Sequence, residues 1–361
     1  MLAGDAERRI VRTDFLRAVA QRSAFLAANL LGGFLVGLGY RFLLDEPSER
    51  VVANYLRSGL HGAGLGLTVW AVQTAYGARF PVGAALRRLP LAADVILRTL
   101  VMTAALTIVG VSLQLVLYRN VAETWLTAGL PKIVATGFAF AIVAGVTTEI
   151  ARLAGGELLA SVLLGTYHRP ARRRLIVMYL DLANSTRLAE AMGEIRVHDL
   201  VTRFFFDIDE PIADFGGAVH AYVGDEVIVS WLVTDDPARN ARCVACFFAI
   251  ERKIASLAPD YQAEFGVAPA FRAGIHAGAV VVSECGDAKR QLAYFGDTMN
   301  VGARLCEYCK TINRRLVVSG DLLRLMSVAD EWEIGEGKSV AMRGRQEPVE
   351  AHVVERRPRK L

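Results

Sequence analysis

Two hydrophobic rhythms divide the chain. In the first 150 residues the apolar positions run together, and Ala24–Tyr40, Ser58–Ala78, Thr99–Tyr118 and Ile133–Thr148 contain no charged side chain. The second and third runs are 21 and 20 residues long. At 1.5 Å of rise per residue they cross a hydrocarbon core of ~30 Å, whereas the first and fourth reach that length only with their flanks. The pattern predicts four transmembrane helices.

From Arg174 onward, short β-rich runs alternate with helical ones. Leu175–Leu182 reads as a buried strand, Val219–Val223 and Val227–Leu232 as a hairpin, and Phe271–Ser283 as a long strand. Helical spacing covers about 186–214, 236–257 and 298–312. This alternation predicts an α/β layered domain of ~180 residues. Between the two halves, Ile150–Leu164 has helical spacing that continues the fourth run, and Pro170 ends it. The expected organisation is a segment at 1–23, a four-helix membrane domain at 24–150, a helical linker at 151–173, a catalytic domain at 174–355 and a basic tail at 356–361.

Charge fixes an orientation. Of 41 Lys+Arg and 37 Asp+Glu, residues 1–170 hold 16 and 10, so the basic excess belongs to the apolar half. Arginines gather in the leader, in the loop between the second and third runs, and after the fourth, and the positive-inside rule then places both termini and the second half in the cytoplasm at a plasma (inner) membrane. The second half is slightly acidic, so no bulk field draws a nucleic-acid polymer to it. His61 is the only histidine in any run, and a bis-histidine haem needs two, so no haem is expected. Gly33/Gly37 and Gly62/Gly66 have the spacing of close helix contact, either within the chain or between two copies. Asp94 and Arg98, four apart, are read as an interfacial ion pair. Cys243/Cys246 and Cys306/Cys309 have the spacing of paired metal ligands but fall inside helical stretches, where cysteine also serves as a small core residue.

The candidate chemistry centres on two aspartates. Asp181 ends the strand Leu175–Leu182, and Ala183-Asn184-Ser185-Thr186 opens a helix behind it. Asp225 sits in a tight turn, Tyr222-Val223-Gly224-Asp225-Glu226. Each alone reads as a cap or turn residue. Together, beside the free amides of a helix start, they make a site for polyphosphate and a divalent metal. Ser185, Thr186 and Gly224 are the residues placed to meet the phosphates. Further on, Asn300 and Arg304 stand four apart on one helix face, after the run Phe271-Arg-Ala-Gly274-Ile-His-Ala-Gly278.

At this point the sequence resembles the class III nucleotidyl cyclases, over roughly residues 172–355. The resemblance rests on the Asp181 strand with Ser185-Thr186, Gly224-Asp225, Gly274-Ile-His-Ala-Gly278, and Gly296 followed by Asn300 and Arg304. It implies an α+β domain with a ferredoxin-like βαββαβ core, and active sites shared across a head-to-tail homodimer. By the same resemblance, Asp181, Asp225 and the backbone carbonyl of Leu182 hold two Mg²⁺ (or Mn²⁺) ions. Asn300 and Arg304 come from the partner protomer to the ribose and triphosphate, and Arg343, in Arg343-Gly-Arg345, is a phosphate clamp. The implied reaction is in-line attack of the ribose 3′-hydroxyl of ATP on its α-phosphate, giving cyclic AMP and pyrophosphate. The sequence departs from the family where the base is read: Ala221 and Ala293 stand at positions that usually carry polar side chains. GTP or a pyrimidine triphosphate is therefore the alternative substrate, and a catalytically silent membrane receptor the alternative function. The expected partners are ATP, a second copy of the chain and the lipid bilayer.

Overall fold

The computed structural model describes residues 23, 25–43, 52–75, 91–118, 129–154, 169–286, 291–342, 345 and 347–357. Residues 155–168 of the predicted linker and Arg343 lie outside the described residues, and the last three linker residues, Ala171–Arg173, instead begin the first strand. Two compact units emerge, one within Leu16–Ala160 and one within Ser161–Leu361.

The first unit is helical: α1 (Phe25–Leu43), α2 (Val52–Ala75), α3 (Leu91–Tyr118) and α4 (Leu130–Ala154). Each helix covers one of the four apolar runs. Among the described residues, two stretches, Phe25–Leu43 and Ala92–Leu117 within α3, are long and apolar enough to cross a membrane; the pattern predicts four. In α2 the apolar stretch is diluted by His61 and Gln73; in α4 the described apolar stretch is Gly137–Val146. The glycine pairs face each other inside one chain: a Cβ on Gly33 would run into the Gly62 carbonyl, and one on Gly37 into the Ser58 carbonyl. Small residues here let the α1 and α2 backbones meet. Asp94 and Arg98 pair across one turn at 2.7 Å, as read from their spacing. Val69, Met102, Leu106 and Ala141 form a small core between α2, α3 and α4.

The second unit is built on a mixed sheet. In chain order its elements are β1 (Ala171–Leu182), α5 (Ser185–Met192), α6 (Glu194–Asp214), β2 (Ala218–Val223), β3 (Glu226–Leu232), α7 (Pro237–Asn240) and α8 (Arg242–Phe265). There follow β4 (Phe271–Cys285), β5 (Gln291–Phe295), α9 (Asp297–Thr311), β6 (Leu316–Ser319), α10 (Gly320–Leu323), β7 (Trp332–Ile334), β8 (Lys338–Val340) and β9 (Val349–Arg356). The strand order is β2-β3-β1-β4-β6-β9-β7, with β5 added to β4 and β8 to β9. All pairings are antiparallel except β4 with β6.

Strand β1 is central, and the period-two rule explains why its sequence is apolar at every position from Leu175 to Leu180. Ile176, Met178, Leu180 and Leu182 enter a core shared with α6 and α8, which includes Phe204, Phe247 and Ile250. Leu175, Val177 and Tyr179 enter a second core on the opposite face with Val280, Val282 and Cys306. The helix expected at 186–214 is broken at Gly193 into α5 and α6, since Gly193 takes φ +88°. The helix expected at 236–257 becomes a short capped turn, α7, followed by α8, which runs on to Phe265.

Helix α9 lies unusually close to the sheet. A Cβ at Gly274 of β4 would meet the carbonyl of Gly302 at 2.8 Å, and one at Gly302 would meet the Tyr179 ring at 2.8 Å. Gly274→Ala is therefore expected to push α9 off the sheet and destabilise the unit by ~1–3 kcal/mol, the usual cost of overpacking. Faster amide exchange in β4 and α9 than in the unsubstituted chain checks this.

Candidate active site

The acidic corner is assembled by strand register. Asp181, at the end of β1, is flanked in the sheet by Glu226 of β3 and Arg272 of β4. The β2–β3 hairpin turns on Gly224 and Asp225. Gly224 has φ +63°, a conformation for which glycine is suited, and no atom stands within 4 Å of where its Cβ would be. The Leu182 amide donates to the Asp225 carbonyl at 3.2 Å, so the hairpin tip is tied to the end of β1. The carboxyls of Asp181 and Asp225 are thereby brought within hydrogen-bonding reach of each other.

Charge concentrates there. Burial, then the neighbouring Asp225 carboxylate, pushes Asp181 up to about 6 from 3.8, partly offset by Arg272. Burial, then Asp181 and Asp225, pushes Glu226 up to about 7 from 4.5. Crowded carboxylate oxygens of this kind are the hard donors that Mg²⁺ or Mn²⁺ prefers, and such ions take only one or two protein carboxylates when substrate phosphates complete the shell. The donor set fits a divalent metal. Among the described residues no group of three or more His, Cys, Asp or Glu side chains forms a metal cluster, so the fit rests on the Asp181–Asp225 pair.

Behind this corner, Asn184 adopts φ +63° and α5 starts at Ser185 without a side-chain cap. The first-turn amides of Ser185 and Thr186 therefore have no such partner, which suits an anion. Asn300 and Arg304 stand on one exposed stripe of α9, opposite the buried Val301, Leu305 and Cys309. Arg304 is paired with Glu307 at 2.6 Å. No hydrogen bond or ion pair among the described residues joins Asn300 or Arg304 to Asp181 or Asp225. The structure therefore brings together one half of the expected constellation and presents the other half outward on α9.

Ala221 and Ala293 lie on β2 and β5, opposite Ile228 and Ser283. Sequence reading passed over the residue beside Ala221. A bulge between Val219 and Ala221 frees His220, whose Nε2 is 2.6 Å from Ser230 Oγ and whose ring lies 3.9 Å from that of Tyr294. Burial lowers its pKa to about 4, so the ring is neutral. Glu226 and Arg272 were also missed, and only strand register could have placed them beside Asp181. His276, within the Gly274–Gly278 run, bonds Ser319 at 2.8 Å inside the sheet and serves β4–β6 packing. The four paired cysteines are buried in α8 and α9; Cys243 and Cys309 donate to backbone carbonyls at 3.2 Å, and burial pushes both thiols up to about 12.

Residues 169–356 match the adenylate and guanylate cyclase catalytic domain, and the chain belongs to that family. Adenylate cyclase 2 of Rhizobium meliloti (strain 1021) is 36% identical over 176 residues, which are 49% of this chain and 48% of that protein. An uncharacterized protein of Mycobacterium tuberculosis is 32% identical over 184 residues, 49% of this chain and 30% of its own. The chain thus spans about half or less of the length of these curated relatives. A bacterial light-regulated adenylyl cyclase of known structure shares the fold at a TM-score of 0.52, with 18% identity over 62% of this chain and 65% of that one.

The crowded carboxylates predict a pH dependence for the metal-free protein. Asp181 and Glu226 hold protons in the folded state that the unfolded chain has already released, so stability falls as pH rises from about 4 through about 7. Asp181→Asn should remove its share of that loss and make the metal-free protein more stable at pH 8. Thermal unfolding in a chelator at pH 5 and pH 8, for both proteins, checks the sign.

Proposed function

We propose that the chain is a membrane-anchored, homodimeric adenylate cyclase that converts ATP to cyclic AMP and pyrophosphate. The observation that carries this reading is the approach of the Asp181 carboxyl, at the end of β1, to that of Asp225, in the β2–β3 turn, beside the uncapped start of α5. A domain kept only for dimerisation has no use for two mutually repelling carboxylates at a phosphate-binding helix end, which argues against a silent receptor.

In this reading Asp181, Asp225 and the Leu182 carbonyl hold two divalent ions. When bound, these supply Lewis acidity toward the attacking 3′-hydroxyl and the departing phosphates. The amides of Ser185 and Thr186, with Gly224 in the adjacent turn, receive triphosphate oxygens and orient the chain of phosphates for in-line attack. Arg304 of the second copy leaves Glu307 and offers its several fixed donors to charge growing at the α-phosphate, while Asn300 of that copy orients the ribose. Arg343 is assigned to the phosphates as well. The exposed position of Asn300 and Arg304 supports a role across a protomer interface.

ATP is favoured because the 36% identical relative is named an adenylate cyclase. GTP or a pyrimidine triphosphate is the second reading, favoured by one observation: Ala221 and Ala293 offer the base no side-chain hydrogen bond. The helical unit is assigned to the membrane with all four helices crossing, and both termini and the catalytic domain in the cytoplasm, on the strength of two long apolar helices and the arginine distribution.

Incubating the purified chain with each of four nucleoside triphosphates and Mg²⁺ or Mn²⁺ tests the reaction and the base together. ATP should give cyclic AMP and pyrophosphate at the highest kcat/KM; no cyclic product from any nucleotide would refute the reading. Asp181→Ala or Asp225→Ala should each lower turnover by about a hundredfold or more, in line with losing an electrostatic element of a transition-state site. Mixing Asp225→Ala and Arg304→Ala chains should restore activity, because one of the two composite sites then has all its groups. Absence of rescue in demonstrated heterodimers would place the whole site within one protomer.

A further inference from the structure

The bulge in β2 puts two neighbouring side chains on one face of the sheet. Ala221 is directly opposite Ile228, and the His220 ring bonds Ser230; Ile228 and Ser230 are two apart on β3 and so share a face. That face carries the core of Leu175, Val177 and Tyr179, against which Ile228, Tyr294 and Met299 of α9 also pack. An aliphatic side chain would suit such surroundings, yet a half-buried imidazole and a buried hydroxyl stand there, 2.6 Å apart. A polar pair in an apolar core costs free energy unless each of its groups finds a partner. Here one group has none: among the described residues, His220 Nδ1 makes no hydrogen bond. The ring lies 3.9 Å from that of Tyr294. The strands carrying Ala221 and Ala293, where base-reading side chains are missing, therefore meet at this imidazole.

We propose that His220 determines base specificity: its Nδ1 hydrogen-bonds the edge of the nucleotide's base in place of the side chains missing at positions 221 and 293, and the Ser230 hydroxyl sets whether that nitrogen donates or accepts. The inference rests on the reading that the chain cyclises a nucleoside triphosphate. Burial lowers the His220 pKa to about 4, so the ring is neutral and carries a proton on one nitrogen only. When Nε2–H donates to Ser230, Nδ1 accepts, which suits the 6-amino group of adenine. When the Ser230 hydroxyl turns and donates to Nε2, Nδ1 carries the proton and donates, which suits the 6-oxo group of guanine. A fixed donor or acceptor rejects the wrong partner by about 10⁴-fold. A hydroxyl that turns meets both edges, so this chain should use both purines.

Purine riboside 5′-triphosphate, which has only hydrogen at position 6, reads the contact directly when compared with ATP and GTP on the purified full chain. In the unsubstituted chain, kcat/KM for ATP should exceed that for the analogue about fivefold, the size expected of one neutral hydrogen bond. The value for GTP should lie within about a hundredfold of that for ATP. In His220→Leu the ratio of ATP to analogue should fall to about one. A merely structural histidine would lower both rates together and leave their ratio where it was. His220→Phe, which keeps a ring against Tyr294, should behave as the leucine variant does and serves if that variant does not fold. A ratio near one in the unsubstituted chain, or a ratio unchanged in a folded variant, overturns the role of His220. A gap between ATP and GTP wider than a hundredfold overturns the role given to Ser230. If the unsubstituted chain cyclises none of the three nucleotides, the reading as a cyclase fails and this inference with it; if it cyclises ATP with a ratio indifferent to His220, only the base contact is overturned.

Discussion

The catalytic unit depends on how closely α9 can approach β1 and β4. Side chains of ordinary size hold a helix about 10 Å from a sheet; here glycines meet glycines and rings instead, Gly274 beneath Gly302 and Gly302 above Tyr179. That contact sets the height of the outward stripe carrying Asn300 and Arg304. It also covers Val177 and Tyr179 on that face of β1. Three glycines without chemistry of their own, Gly278 under Thr298 being the third, thus determine where the charged groups stand.

The second organising feature is an imbalance of charge that the protein by itself leaves unresolved. Asp181, Asp225 and Glu226 converge through strand register and a two-residue turn, and partial burial of Asp181 and Glu226 disfavours their charged forms. Such an arrangement lowers stability in the metal-free state and is tolerated because sheet and core over-determine the backbone around it. The hairpin bond from the Leu182 amide to the Asp225 carbonyl is part of that support. The acidic corner is thus a strained element on a rigid frame.

Much of this was legible in the sequence, and for identifiable reasons. Continuous apolar runs mark β1 because it is buried on both faces, and i, i+4 spacing places Asn300 and Arg304 on one helix stripe. Asp181 and Asp225 stood out because strand ends and tight turns are where polar groups gather. What could not be read is what depends on register. Nothing local in Phe271-Arg272-Ala273 says that Arg272 faces a residue 91 positions earlier. His220 faces Tyr294 because of a bulge, and a one-residue bulge has no signature in an alternating strand. The break at Gly193 was passed over because the apolar spacing continues on both sides of it. In the helical unit, length without composition overstated the apolar character of α2.

The facing glycines of α1 and α2 have a consequence for how substitutions distribute along the chain. Gly33, Gly37, Gly62 and Gly66 each stand where even a methyl group would meet the opposite backbone. In a survey of tolerated variants, these positions would be as intolerant as the aspartates of the acidic corner, yet for a reason of distance alone. They would also covary poorly with anything, since no pair of larger residues can trade volume across so narrow a gap. Invariance in this chain therefore comes in two kinds: one records chemistry, and the other records how near two backbones have come.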